Sequence, residues 1–351
     1  MYNQNPNFIT SFWVTFILGL FFCVLNFYIK FNYSRTLIAP SFFRKNNLIF
    51  WFVYILTFFV IVFFRPRGNL YLGDETASLN SAYEYVFVLF LSLYSFSNNE
   101  KRKRNKIFLL FIVYFVFSVI SGSRVTIVIL GLFLIIIIYQ FEVRLRTVAV
   151  VLVFAVWALN IFGNIRSNPR VLIEGNLIDI VNPFSKVDIL DYQNSNEGDV
   201  FWASERLFIL SNEGHLTIGD RIESLIFYLI SPISIGVSCP PEANLTQYKT
   251  DVYGTGGGSL APIIFYMFGG LVGVFVFSRF VSNRFNKLCR IDGSFASNYA
   301  IFLYIMTPRW FVYYPISLVK LCLFGAGFMY ALYLIDAKMK RGKIKNLQNE
   351  Q

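Results

Sequence analysis

The strongest constraint on this chain is a series of long, almost uncharged apolar runs, among them Phe8 to Ile29, Asn80 to Phe96, Val125 to Tyr139 and Leu260 to Phe280. Each approaches the ~17–25 residues with which an α-helix crosses the hydrocarbon core of a bilayer. In lipid only helices and closed barrels satisfy their own backbone, so runs of this length predict helices. Of the 351 residues, 56% are hydrophobic and 19% aromatic, beyond the roughly 45–50% apolar share of an ordinary soluble domain. The predicted spans are 8–29, 48–64, 80–97, 107–121, 125–140, 147–163, 259–280, 296–312 and 314–335. The expected fold is all-α: a polytopic transmembrane helical bundle of about nine spans, with ten to twelve as the outer range.

The net charge of +11 does not point to nucleic acid, because the bases lie in short clusters between apolar runs and form no stripe. They read instead as topology signals. Most of the 31 Lys and Arg fall in alternate connections: Lys30 to Lys45, Lys101 to Lys106, Arg144 and Arg146, Arg279 to Arg290, and the tail Lys338 to Lys345. The positive-inside rule makes that side, and the C-terminus, cytoplasmic. Met1 to Asn7 carries no Lys or Arg, so a cleavable signal peptide is not expected.

The opposite side receives a connection from 164 to 258, far longer than a usual loop. Within it, Glu223 to Ser238 is apolar but short and interrupted by Pro232, which predicts a re-entrant or interfacial segment. Val200 to Leu210 reads as a second amphipathic segment, with Trp202 at interface depth. Without an internal repeat or low-complexity linker, residues 1–351 are expected to form one integral membrane domain carrying this loop.

Several residues on that outer side are suited to chemistry. Arg124 closes the turn Ser121-Gly122-Ser123-Arg124 between two spans, either as a snorkelling anchor or as an anion site. Arg166, Arg170, Arg206, Arg221 and Arg309 lie near predicted helix ends on the same side, against the positive-inside trend. A guanidinium binds a phosphate bidentately, so as a set they suggest recognition of an anion such as pyrophosphate. His215 is the single histidine, and Glu205, Glu213, Asp220 and Glu223 flank it. An imidazole or a carboxylate of raised pKa can take a proton from an attacking hydroxyl, so His215, Glu205 and Asp220 are the candidate bases. One histidine and the loop's Cys239 are too few ligands for zinc, and no metal or cofactor is expected.

Tyr253 to Ser259 (YGTGGGS) reads as a phosphate cradle or a hinge; it lacks the Walker pattern and lies on the side away from ATP. Gly269, Gly270 and Gly273 put small residues on one side of a span, the ordinary form of membrane helix packing. Glu84 and Lys320 are ionisable groups in or near spans, each close to an outer end.

The Ser-Gly-Ser-Arg turn, the long loop with arginines and one histidine, and the Gly-Gly-Gly-Ser lead into Leu260 to Phe280 together resemble the Wzy-type O-antigen polymerases, relatives of the O-antigen ligases. The likeness covers roughly residues 105–335 and rests on arrangement. It implies a GT-C-like membrane glycosyltransferase of the bacterial inner membrane, its long loop periplasmic. The implied reaction passes a growing glycan from undecaprenyl pyrophosphate to the non-reducing end sugar of an incoming lipid-linked repeat unit, in lipopolysaccharide O-antigen biosynthesis. Partners implied are those lipid-linked units, the flippase and chain-length regulator of the same pathway, and membrane lipid. The arginines would hold pyrophosphate without a metal. The competing expectations are a lipid-linked oligosaccharide flippase, which calls for about a dozen spans and a charged central cavity, or an O-antigen ligase.

Overall fold

A computed structural model describes residues 8–30, 37–65, 81–120, 124–139, 196–212, 216–230, 258–312 and 315–349. Its elements run α1 (Phe8–Tyr28), β1 (Leu37–Ile38), α2 (Asn47–Phe63), α3 (Ser81–Glu84), α4 (Val86–Phe96), α5 (Lys101–Ile120) and α6 (Arg124–Tyr139). They continue with α7 (Asn196–Asn212), α8 (Ile218–Ile230), α9 (Ala261–Phe285), β2 (Arg290–Ile291), α10 (Phe295–Ile305), α11 (Thr307–Val312) and α12 (Phe324–Asn349). A π-helical turn, Leu318–Leu323, leads into α12. The described residues are therefore mostly helical, as the apolar runs predict, with β1 and β2 forming a two-residue parallel pair. By length and composition, three described helices can cross a membrane: Phe8–Tyr28, Ala261–Cys289 and Leu318–Gly342. The predicted span 147–163 lies outside the described residues.

The chain forms two compact units, each assembled from separated stretches. The first comprises Met1–Phe31, Asp188–Asn286 and Met306–Cys322. In it α1 and the later part of α9 run side by side in the same direction. Ser278 Oγ donates to Phe21 O (2.7 Å), Ser282 Oγ to Leu25 O (3.3 Å) and Asn286 Nδ2 to Tyr28 O (3.0 Å). Residues four apart share one helix face, so the three donors form a single seam along α1. Between membrane helices such polar links and close packing take over the task that apolar burial performs in water. Phe21 and Phe277 stack at 5.6 Å, and Trp310 of α11 meets Phe277 edge-on at 5.8 Å.

Although α9 counts as one apolar length, its backbone breaks at Gly269 (φ −146°, ψ 23°) and Gly270 (φ 59°, ψ −149°). The rings of Phe265 and Phe277 stack at 3.8 Å, whereas twelve residues of continuous helix would rise about 18 Å. The segment is thus a short arm folded back on a long one. Gly270 supplies the positive φ, and at Gly273 a Cβ would stand 2.2 Å from Phe265 O, so only glycine admits the approach. The three glycines expected to be packing positions are the break and its closest backbone contact.

The second unit comprises Asn32–Val187, Lys287–Ile305 and Leu323–Gln351. Every residue of α4 is buried, which is why its sequence is apolar all round. Around it pack α2, α5 and α12. Asn46 caps α2 by accepting from Leu48 N and Ile49 N (3.1 and 3.2 Å), and its Nδ2 donates to the buried Asp336 of α12 at 2.9 Å. Tyr333 and Ser95 hydroxyls lie 2.7 Å apart, and Ser95 donates to Phe42 O at 2.6 Å. Arg44 lies over the Tyr333 ring at 4.8 Å. Lys103 donates to Asn47 Oδ1 at 2.8 Å. These links gather the basic stretches 44–45 and 101–106 at one end of this unit, where α4 ends and α2 and α5 begin.

Candidate functional site

The described residues of the long 164–258 connection that bear on chemistry lie in α7 and α8, both in the first unit. α7 holds Glu205 and Arg206, which are 5% and 6% exposed, a depth at which charged side chains are rare unless they have a task or a partner. Adjacent helical residues diverge by about 100°, so the two serve different neighbours. Glu205 Oε1 accepts a short hydrogen bond from Ser11 Oγ near the start of α1. Arg206 lies over the indole of Trp202, one turn earlier, at 4.8 Å. Burial raises the Glu205 pKa above its ordinary 4.5, opposed by the Ser11 hydrogen bond and by the Arg206 charge. A carboxylate so placed is a better proton acceptor near neutrality than a solvated one.

The same helix is fastened to the head of α9. Ser204 Oγ accepts from Leu260 N at 2.9 Å, and Ser259 Oγ donates to Ala203 O at 3.5 Å. One turn further along, Phe208 stacks on Tyr266 (5.4 Å), whose hydroxyl donates to Asn212 Oδ1 at 3.1 Å. Of the glycine-rich lead, only Gly258 and Ser259 are described, and they enter α9 from this end.

α8 begins with a capping box. Thr217 N and Oγ1 donate to Asp220 Oδ2 (2.7 and 2.8 Å), while Asp220 N donates to Thr217 Oγ1 (3.2 Å). These bonds from Thr217 hold the Asp220 pKa below its ordinary range, which disfavours it as a proton acceptor. Arg221, the next residue, donates from Nη1 to Met267 O (3.1 Å) and from Nη2 to Ser211 O (2.5 Å). Both carbonyls belong to the last turn of a helical segment, α7 for Ser211 and the short arm of α9 for Met267, where four C=O groups lack helical partners. Arg221 therefore ties two helix ends together, and its cation suits their negative dipole ends. Tyr228 further along donates to Pro315 O at 2.7 Å and packs on Phe268 at 5.6 Å.

The structure thus sets Glu205 against Ser11 and the adjacent Arg206 against Trp202, and places Asp220 and Arg221 in a helix cap and a clip. Arg309 is half-buried in α11, in the same unit. Arg124 is the first residue of α6 and belongs to the second unit. His215, Arg166 and Arg170 lie outside the described residues. Glu84 ends α3 and Lys320 sits in the π-helical turn, a form that often marks functional positions. Among the described residues no group of three His, Cys, Asp or Glu side chains converges as a metal site. Sequence reasoning missed Ser11 and Ser204; the one signal for Ser11 is that it interrupts the apolar run of α1. Comparison with family models, curated proteins and solved structures finds no match to this chain.

Proposed function

We propose that the protein is a multi-pass membrane glycosyltransferase acting on sugars carried by a lipid pyrophosphate, with the long 164–258 connection and α9 forming its outer, catalytic face. Within that class the reading is a Wzy-type O-antigen polymerase of the bacterial inner membrane, which moves a growing glycan from undecaprenyl pyrophosphate to an incoming lipid-linked repeat unit. The observation that carries it is the burial, side by side in α7, of Glu205 with its raised pKa and of Arg206 against Trp202. In the reaction, the acceptor hydroxyl loses its proton to a carboxylate as its oxygen bonds to the anomeric carbon. The carbon–oxygen bond to pyrophosphate breaks, and the electron pair leaves on the phosphate. Glu205 suits the proton transfer, with His215 the second candidate, and Arg206 suits the developing charge. Trp202 offers a flat apolar face of the kind on which sugar rings stack. The parallel course of α1 and the long arm of α9 supports the side assignment, because charge counting sends both from the outer to the cytoplasmic face.

The test is a chromosomal deletion complemented with Glu205→Gln and with Arg206→Ala, reading lipopolysaccharide on a gel. The expected deletion phenotype is core lipid bearing a single repeat unit, unrelieved by either variant although both reach the membrane. Complete loss of repeat units would move the assignment to a flippase or ligase, and normal ladders from Glu205→Gln would remove that residue from the chemistry.

A further inference from the structure

The basic start of α5 carries more than a topology signal needs. Five cations, Lys101, Arg102, Lys103, Arg104 and Lys106, occupy five of the first six positions of a helix of 20 residues whose first turn holds no acid. Cations there oppose the positive end of the helix dipole and one another. Glu100 is the one acid among the described residues within ion-pair distance of them, and it is engaged with Lys103 at 3.3 Å. The cluster is also built rather than loose. Lys103 is buried, bonded to Asn47 and 5.3 Å from the centre of the Phe50 ring, while Lys106 lies 4.9 Å over the indole of Trp51. Lys101, Arg102 and Lys106 stay exposed around it.

Directly below this crown both helices turn apolar faces outward. Trp51 and Phe52 of α2 are 43% and 58% exposed, and Leu109 of α5 is 58% exposed. A cationic rim, an amphipathic indole and an apolar wall in sequence match a ligand with a phosphate head and hydrocarbon tails. We propose that this end of the second unit binds an anionic diacyl phospholipid. Its headgroup phosphate sits against Lys101, Arg102 and Lys106, and its acyl chains lie along the exposed faces of α2 and α5. A free phosphate would meet the charge but make no use of the apolar wall that adjoins it. The site is independent of the glycan chemistry proposed above.

The experiment uses the full-length protein purified in a mild neutral detergent, titrated with phosphatidylglycerol, phosphatidylcholine or inorganic phosphate, with bound lipid counted by native mass spectrometry. Phosphatidylglycerol should be retained and phosphatidylcholine lost. A surface cation contributes about fivefold to binding an anionic lipid surface, so the triple variant Lys101→Gln, Arg102→Gln, Lys106→Gln should weaken retention about a hundredfold. Raising the ionic strength should weaken retention in the unaltered protein too, which keeps the idea testable if the variant fails to fold. Equal retention of both lipids, salt-independent retention, full binding by a folded triple variant, or displacement of the lipid by inorganic phosphate at matched concentration would each overturn the proposal.

Discussion

Arg221 offers the sharpest separation of a structural role from a substrate role. Replacing it with Met keeps the length and removes the guanidinium, so Ser211 O and Met267 O lose their donors at 2.5 and 3.1 Å. A hydrogen bond from a charged donor is worth about 1.5–3 kcal/mol. Two give an upper figure near 6, and because Arg221 is only half-buried, water replaces part of each, leaving roughly 2–4 kcal/mol. In a protein of 351 residues that corresponds to a fall of about 3–5 °C in melting midpoint. Purified protein in detergent, melted while tryptophan fluorescence is followed, measures this directly. Arg221→Lys should fall between the two, since one ammonium lacks the fork that spans two carbonyls. A substrate-binding arginine would behave oppositely, losing the proposed activity at unchanged melting temperature. If Arg221→Met melts with the unaltered protein, the two carbonyls do not depend on it and the clip is refuted.

Gly273→Ala drives a methyl group to 2.2 Å from a backbone oxygen. The two arms must separate, at a cost of about 1–3 kcal/mol or more, and fluorescence melting should show it, whereas Gly327→Ala, with open space at its Cβ inside α12, should lower no melting point and by helix propensity gain about 0.5–1 kcal/mol. Since the Glu205 carboxyl titrates above 4.5, the folded state binds its proton more tightly than the unfolded chain. Its contribution to stability is therefore fullest below the ordinary carboxylate range and declines as pH rises through the raised value. Glu205→Gln should flatten that part of the pH–melting curve, and Ser11→Ala, by removing a donor to the ionised form, should move it to higher pH. Asn46→Ala removes a helix cap and a donor to the buried Asp336, for an expected loss of about 2–4 kcal/mol in denaturant titration.

Apolar length made most of the helices legible. The run Phe8 to Ile29 became α1 and 48–64 became α2 within a residue or so, because a helix in lipid must continue until its backbone can meet water. Hydropathy marks the lipid-facing part of a helix and not its ends. Lys101 to Lys106 and the tail to Asn349 are strong helix formers, so α5 starts earlier and α12 ends later than the apolar text suggests. Near Met306 the expected span 296–312 divides into α10 and α11, with Pro308 in the first turn of the second, where its missing N–H costs nothing. The break in α9 was hidden because glycine serves equally well as a packing residue and as the one residue tolerant of φ near 59°. The candidate site was half visible. Glu205 and Arg206 stood out as charges in an apolar stretch, but Ser11 lies 194 residues away from Glu205, and no local pattern announces such a pairing. Asp220 showed its acidity and concealed its cap, since Thr-Ile-Gly-Asp is an equally good signature of either role.

The seam between α1 and the long arm of α9 sets a schedule for biosynthesis. Phe21 and Ser278 are 257 residues apart, so at ~5–20 residues per second a ribosome delivers the second partner some ~13–50 s after the first. Over that interval the first helix of the chain waits in the bilayer with the neighbour that will complete its unit still unmade, while much of the other unit, residues 32 to 187, has already emerged. Translation halted before α9 would leave the polar-bonding face of α1 without the seam partner that completes its unit, a state open to intramembrane quality control.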